Sequence, residues 1–268
     1  MRRSRIFVVG VLLVIAVSSL LFAWRWRERG PSKPSVSAAI GQFRSSSTIA
    51  ASGSRQPRSG VYLYAGSGTE SLSFLSTTQS QGRIEPGTVT AQPGGCWQFR
   101  IAYNSFHSQT WSRCWKGSHL LESGGTTTQR FDFVTFKTSE HSVVTCQPPM
   151  VDADLDAKPG ATTPIHCTGR SQTTHASFTQ SGTTTFVGRE SVMVAGVAVP
   201  AFHVRQDTRL SGGQTGGAHT DIWIAVADGL PLEESHTIHV VSPAPAPLNH
   251  VTYNESGRWQ LISMTPRT

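Results

Sequence analysis

Ten histidines and four cysteines are the side chains of this 268-residue chain best suited to hold a metal or attack a carbonyl. A zinc site read from local spacing needs ligands that share a face, and no C-x2–4-C pair occurs. His236-x-x-His239 falls in a run with strand periodicity, where an odd offset sends the two rings to opposite faces, and His166 beside Cys167 has the same defect. The pattern therefore predicts scattered histidines, with no metal site and no cofactor. Asp152-x-Asp154-x-Asp156 has the opening spacing of an EF-hand, but the sixth and twelfth places hold Ala157 and Thr163 instead of Gly and Glu. What stays open there is weak calcium binding by a three-aspartate loop. For acyl transfer, G-x-S-x-G and S-x-x-K are both missing, and all four cysteines are better used in bridges. A triad assembled by geometry alone is left open.

Aromatic side chains form the other candidate. Trp97, Phe99, Tyr103, Trp111 and Trp115, with Trp223 further on, either fill an ordinary core or line a cavity for an apolar or lipid ligand.

The elements that position these residues have period two from Gly60 onward, with β-branched and aromatic side chains between Gly-rich turns and almost no helical signal. Sixteen short strands are expected, among them Val61–Gly66, Glu70–Thr77, Cys96–Tyr103, Thr110–Lys116, Thr184–Gly188 and Glu190–Val194. Ser123-Gly124-Gly125, Gly212–Gly217 and Asp228-Gly229 supply turns. Such a series predicts a mainly β, antiparallel curved sheet, a half-barrel or a sandwich.

One hairpin can be read in register. If Cys96 faces Cys114, then Trp97, Phe99 and Ile101 share a face with Arg113, Trp111 and Trp115, and a slip of one residue would scatter that apolar set. The register predicts a Cys96–Cys114 disulfide on the polar face. It leaves Cys146 and Cys167 to close a proline-rich, acidic loop, although four cysteines allow three connectivities in all.

Charge separates the two ends of the chain. Residues 1–60 carry ten basic side chains against one acid, and the remainder thirteen against fifteen, so the net +7 belongs to the N-terminal part. A nucleic-acid partner is excluded, because the folded part has no excess of cations to meet phosphates. Ile6–Trp24 is an uncharged run long enough to span a bilayer core of about 30 Å, with Trp24 and Trp26 at its exit and no A-x-A-like cleavage site. It predicts one N-terminal transmembrane helix acting as an uncleaved signal-anchor; a cleaved signal is the alternative. The implied domains are a cytoplasmic tail at 1–5, the anchor at 6–24, a flexible linker at 25–59 rich in Ser, Gly, Pro and Ala, and an extracytoplasmic β domain at 60–268. An even cysteine count suits an oxidising compartment. The lipid bilayer is thus an expected partner.

Gly60-Val61-Tyr62-Leu63-Tyr64 leading to Gly68-Thr69-Glu70, Cys96-Trp97 and Cys114 resembles the start of uncharacterised actinobacterial membrane-anchored ectodomains. Gly188–Val192, Val199–Val204, Asp221-Ile222-Trp223 and Gly229–Leu232 resemble strands of lipoprotein-carrier-type half-barrels. That resemblance implies a curved sheet around an apolar cavity for acyl chains or lipoproteins, although this chain has no counterpart of the carriers' plugging helices. The expected function is a membrane-tethered extracytoplasmic binding module without catalytic activity, meeting an apolar ligand or an envelope component. The alternative is an envelope hydrolase with no recognisable motif.

Overall fold

The computed structural model of the chain describes residues 31–46, 55–73, 78–132, 137–243 and 249–268. Its contacts fall into two units, 1–30 with 130–139 and 31–129 with 140–268, and the site described below lies in the second. The strands are β1 (Gly60–Leu72), β2 (Thr78–Ser80), β3 (Ile84–Gln92), β4 (Cys96–Ala102), β5 (His107–Lys116), β6 (His119–Asp132) and β7 (Lys137–Asp154). They continue with β8 (Thr162–Ser171), β9 (Ser177–Val194), β10 (Val197–Gly212), β11 (Thr215–Ala225), β12 (Pro231–Pro243) and β13 (His250–Leu261).

From β3 onward each strand pairs with the next, and β13 returns to pair with β1 from Tyr64↔Leu261 to Leu72↔Tyr253. The expected half-barrel or sandwich is therefore corrected to a closed antiparallel barrel. An open curved sheet would leave β1 and β13 as edges with unpaired N–H and C=O groups; here each satisfies the other. Thr69 pairs with Ser80 and Ala65 with Ile84, which is one unchanged register, so β2 and β3 form a single stave interrupted at 81–83. The ring has twelve staves.

Strands also run longer than the turn signals suggested. β1 passes straight through Gly66-Ser67-Gly68, and β9 is continuous across Gly188-Arg189, where a bulge at His203/Val204 absorbs the extra residue. The Cys96↔Cys114 register is as expected, and both disulfides are formed, Cys96–Cys114 and Cys146–Cys167. The second does not tie down a loop: Cys146 and Cys167 are directly opposed on β7 and β8 and almost fully buried.

The 25–59 stretch, expected as a flexible linker, contains helix α1 (Val36–Ser46). Ser35 starts it as an N-cap, its Oγ accepting the amide of Ala38 at 3.1 Å. Phe43 is buried, and Arg44 Nη2 donates to the carbonyl of Thr268 at 2.7 Å. The tail at 1–5 and the Ile6–Trp24 run lie outside the described residues. No helix among the described residues is long and apolar enough to cross a membrane.

Twelve staves enclose more space than the eight whose inward side chains just fill a barrel. Large rings take up part of it. Tyr64 meets Phe99 and Trp259 edge-on at centroid distances of 5.8 and 4.9 Å, and Trp111 stacks on Phe99 at 5.8 Å. Tyr64 also donates to the Pro231 carbonyl at 2.9 Å, so its hydroxyl is satisfied within the core.

Candidate functional site

Several charged residues have the strand parity of the core. Glu70 follows Tyr62 and Tyr64 on the inward face of β1, and Glu85 on β3 is directly opposite Tyr64. Glu234 and His236 continue the face of Leu232 on β12, Glu255 that of Trp259 on β13, and His107 opens β5. All six are buried. Glycine makes the room. A Cβ at Gly66 would lie 2.3 Å from the Glu85 carboxyl carbon, and one at Gly68 2.0 Å from Gln81 Oε1, so both polar side chains lie over a strand that has no side chain there.

These groups form one connected network. His107 Nδ1 is 3.1 Å from Glu70 Oε2 and 3.6 Å from Glu255 Oε1; His236 lies between Glu234 (3.0 Å) and Glu255 (3.2 Å). Glu70 Oε1 accepts from Asn104 at 2.9 Å, and its Oε2 accepts from Gln129 at 2.6 Å and Tyr253 at 3.1 Å. Glu255 accepts from Gln81 and Tyr253, both at 2.7 Å. Ligand atoms of Glu70, His107 and Glu255 all lie within 4.8 Å of one another.

Burial and partners set the protonation. Burial opposes the charged form of His236, but Glu234 and Glu255 outweigh it and raise its pKa to about 10. Burial likewise opposes a charged His107, which Glu255 and Glu70 nonetheless hold above the ordinary value. Glu255 shows the reverse: burial would raise it, yet His107 and His236 bring it down to about 2. Glu85 has no such compensation, and burial carries it up to about 9 despite His236. At neutral pH it is a carboxylic acid.

A second ionic group spans the same interior. Arg113 Nε is 2.7 Å from Asp152 Oδ2 and its Nη2 3.2 Å from Glu122 Oε2, while Gln206 donates to Asp152 Oδ1 at 3.2 Å. Burial and the neighbouring Asp152 push the Glu122 carboxyl well up against the pull of Arg113. Asp152 is thus buried in the core beside Arg113, half-buried Asp154 caps the amide of Asp156, and the three aspartates do not converge on a calcium loop.

The aromatic candidates separate. Trp97, Phe99 and Trp111 face inward together, and Trp115 lies further along β5, where its Nε1 donates to the Asp228 carbonyl at 3.2 Å. Trp223 does not join them. It is on the outer face of β11, stacked on His203 at 4.2 Å and donating to Glu190 at 2.7 Å. Two open depressions of about 490 and 590 Å³ mark the barrel, and none of these five residues lines either. As the odd offset required, His236 is buried and His239 exposed on the other face.

The outer wall has its own network, which spacing within one strand could not reveal. His203 bridges Glu190 (2.8 Å) and Asp221 (2.9 Å), and His219 bridges Asp207 (2.7 Å) and the other Asp221 oxygen (3.1 Å). Trp223 and His203 hold the Glu190 carboxyl below its ordinary range, and the Asp207 contact raises His219.

No protein-family model and no curated protein matches the chain. Among solved structures, the crystal structure of the hypothetical lipoprotein YmcC from Escherichia coli K12 is similar at 14% identity over 84% of this chain and 97% of that one, with a TM-score of 0.35. A correspondence that loose bears on neither the ring closure nor the interior network.

Proposed function

We propose that the chain is a non-catalytic binding module of the cell envelope, held at the membrane by Ile6–Trp24 with the barrel on the extracytoplasmic side. In this reading its partner is a polar envelope component, met on the outer wall of β9 to β11. The observation that carries it is the division of charge in the barrel. Inward charged groups are gathered out of solvent's reach, whereas Glu190 and Asp221 flank the stacked His203–Trp223 pair on the outer wall, where carboxylates and a ring are open to a partner. Two disulfides agree with an oxidising compartment. Rings that pack on one another argue against a lipid carried in the lumen. Against the hydrolase alternative, the outer-wall pair Thr128 Oγ1 and His141 Nδ1, 3.0 Å apart, has no carboxyl group behind the imidazole among the described residues.

The test uses the full chain in detergent, sedimented with isolated cell wall or with vesicles containing anionic lipid. Saturable binding to one of them, weakened about tenfold or more in an Asp221→Asn/Trp223→Ala variant, is expected. Binding that the variant leaves intact, or turnover of generic ester or glycoside substrates, would overturn the reading.

A further inference from the structure

The polar half of the lumen holds several atoms with nothing to bond. Both ring nitrogens of His107, Nε2 of His236, Oε1 of Gln81 and both carboxyl oxygens of Glu85 are buried without a hydrogen-bond partner. Buried polar atoms are satisfied in the large majority of cases by protein, ordered water or an ion.

Among these atoms His107 Nδ1 is the best placed to ligate. It faces Glu70 Oε2 at 3.1 Å and Glu255 Oε1 at 3.6 Å, yet neither oxygen is in hydrogen-bonding position to it. A charge-assisted N–H···O bond would draw the pair to about 2.7–2.9 Å. Ligands at about 2.0–2.1 Å from one zinc ion in tetrahedral array lie about 3.4 Å apart, a value the two separations bracket. The shell outside is in place: Asn104, Gln129 and Tyr253 orient Glu70, and Gln81 and Tyr253 orient Glu255.

We infer that Glu70, His107 and Glu255 form a binding site for one divalent transition-metal ion, with Zn²⁺ the ion that fits. One imidazole nitrogen and two carboxyl oxygens are the ligand types zinc accepts, and three protein ligands leave the fourth position to water. Glu70 and Glu255 face each other on the paired strands β1 and β13 and His107 comes from β5, so the ion ties the seam to a third strand. The site goes beyond the binding-module reading and does not depend on it.

The full chain, stripped with EDTA and held in detergent, is titrated with Zn²⁺ alone by calorimetry, and with Co²⁺ followed by visible absorption. One equivalent of Zn²⁺, a rise in Tm on adding it and a tetrahedral Co²⁺ band are expected. His107→Gln and Glu255→Gln should each weaken Zn²⁺ binding by more than the roughly 10–100-fold typical of outer-shell changes. No bound Zn²⁺ in the native sequence, or equal binding by His107→Gln, overturns the site. If His107→Gln fails to fold by near-UV circular dichroism, the native chain decides: a Co²⁺ spectrum without the tetrahedral band overturns it.

Discussion

Replacing Glu85 by Gln should stabilise the protein, and by an amount that depends on pH. An acid whose folded pKa is above its unfolded value keeps its proton longer in the folded state. Stability therefore falls as pH rises from the ordinary value of 4.5 toward about 9, where the folded carboxyl finally ionises. At pH 7 the chain is about 2.5 pH units above the ordinary value, and at about 1.4 kcal/mol per unit Glu85 costs about 3 kcal/mol there. At pH 8.5 the cost is about 5 kcal/mol, and at pH 4.5 it is close to zero. Gln has the same shape and no proton to lose, so the difference between the two proteins isolates this one group from His236 and Glu255, which titrate in both. Urea unfolding followed by tryptophan fluorescence at pH 4.5, 7 and 8.5 measures it. A difference that does not change with pH, or a Glu85 carboxyl found ionised at pH 7 by ¹³C NMR, would refute the reasoning.

Arg113→Met should lower stability by about 3–5 kcal/mol, because it leaves the buried Glu122 and Asp152 without their cation; a loss under 1 kcal/mol in chemical denaturation would contradict the pairing. Gly66→Ala should destabilise by about 1–3 kcal/mol through its clash with Glu85. The cost should shrink in a Glu85→Ala background, and a double-mutant cycle with no coupling would place Glu85 elsewhere. With graded dithiothreitol, Cys96–Cys114 on the half-exposed outer face should open before Cys146–Cys167, which is 2% and 1% exposed; alkylation and mass spectrometry give the order, and the reverse order would contradict the burial.

The Cys96–Cys114 hairpin was legible because its two strands are close in sequence and a single register collects Trp97, Phe99 and Trp111 on one face. Ring closure was not. Tyr64 meets Leu261 nearly the whole length of the domain away, and nothing in the local pattern of β1 names its partner. The interior site escaped for the same reason, since Glu70, His107 and Glu255 come from three distant segments and a search within single strands cannot join them. A signal was available, however: Glu70, Glu234 and Glu255 share the parity of Tyr64, Leu232 and Trp259, which marks charged residues on faces that must be buried. Helix α1 was missed although Ser35 precedes it as an N-cap, because eleven residues with one buried side chain carry almost no amphipathic pattern.

The seam between β1 and β13 also orders events during synthesis. Until β13 has been made, the outer edge of β1 displays its N–H and C=O groups to any other strand in the vicinity. Such late closure makes the fold slow to complete and exposed to aggregation meanwhile. A nascent chain arrested before His250 therefore carries two sticky margins, and folding of this barrel depends on holding it apart from its neighbours until the last stave docks.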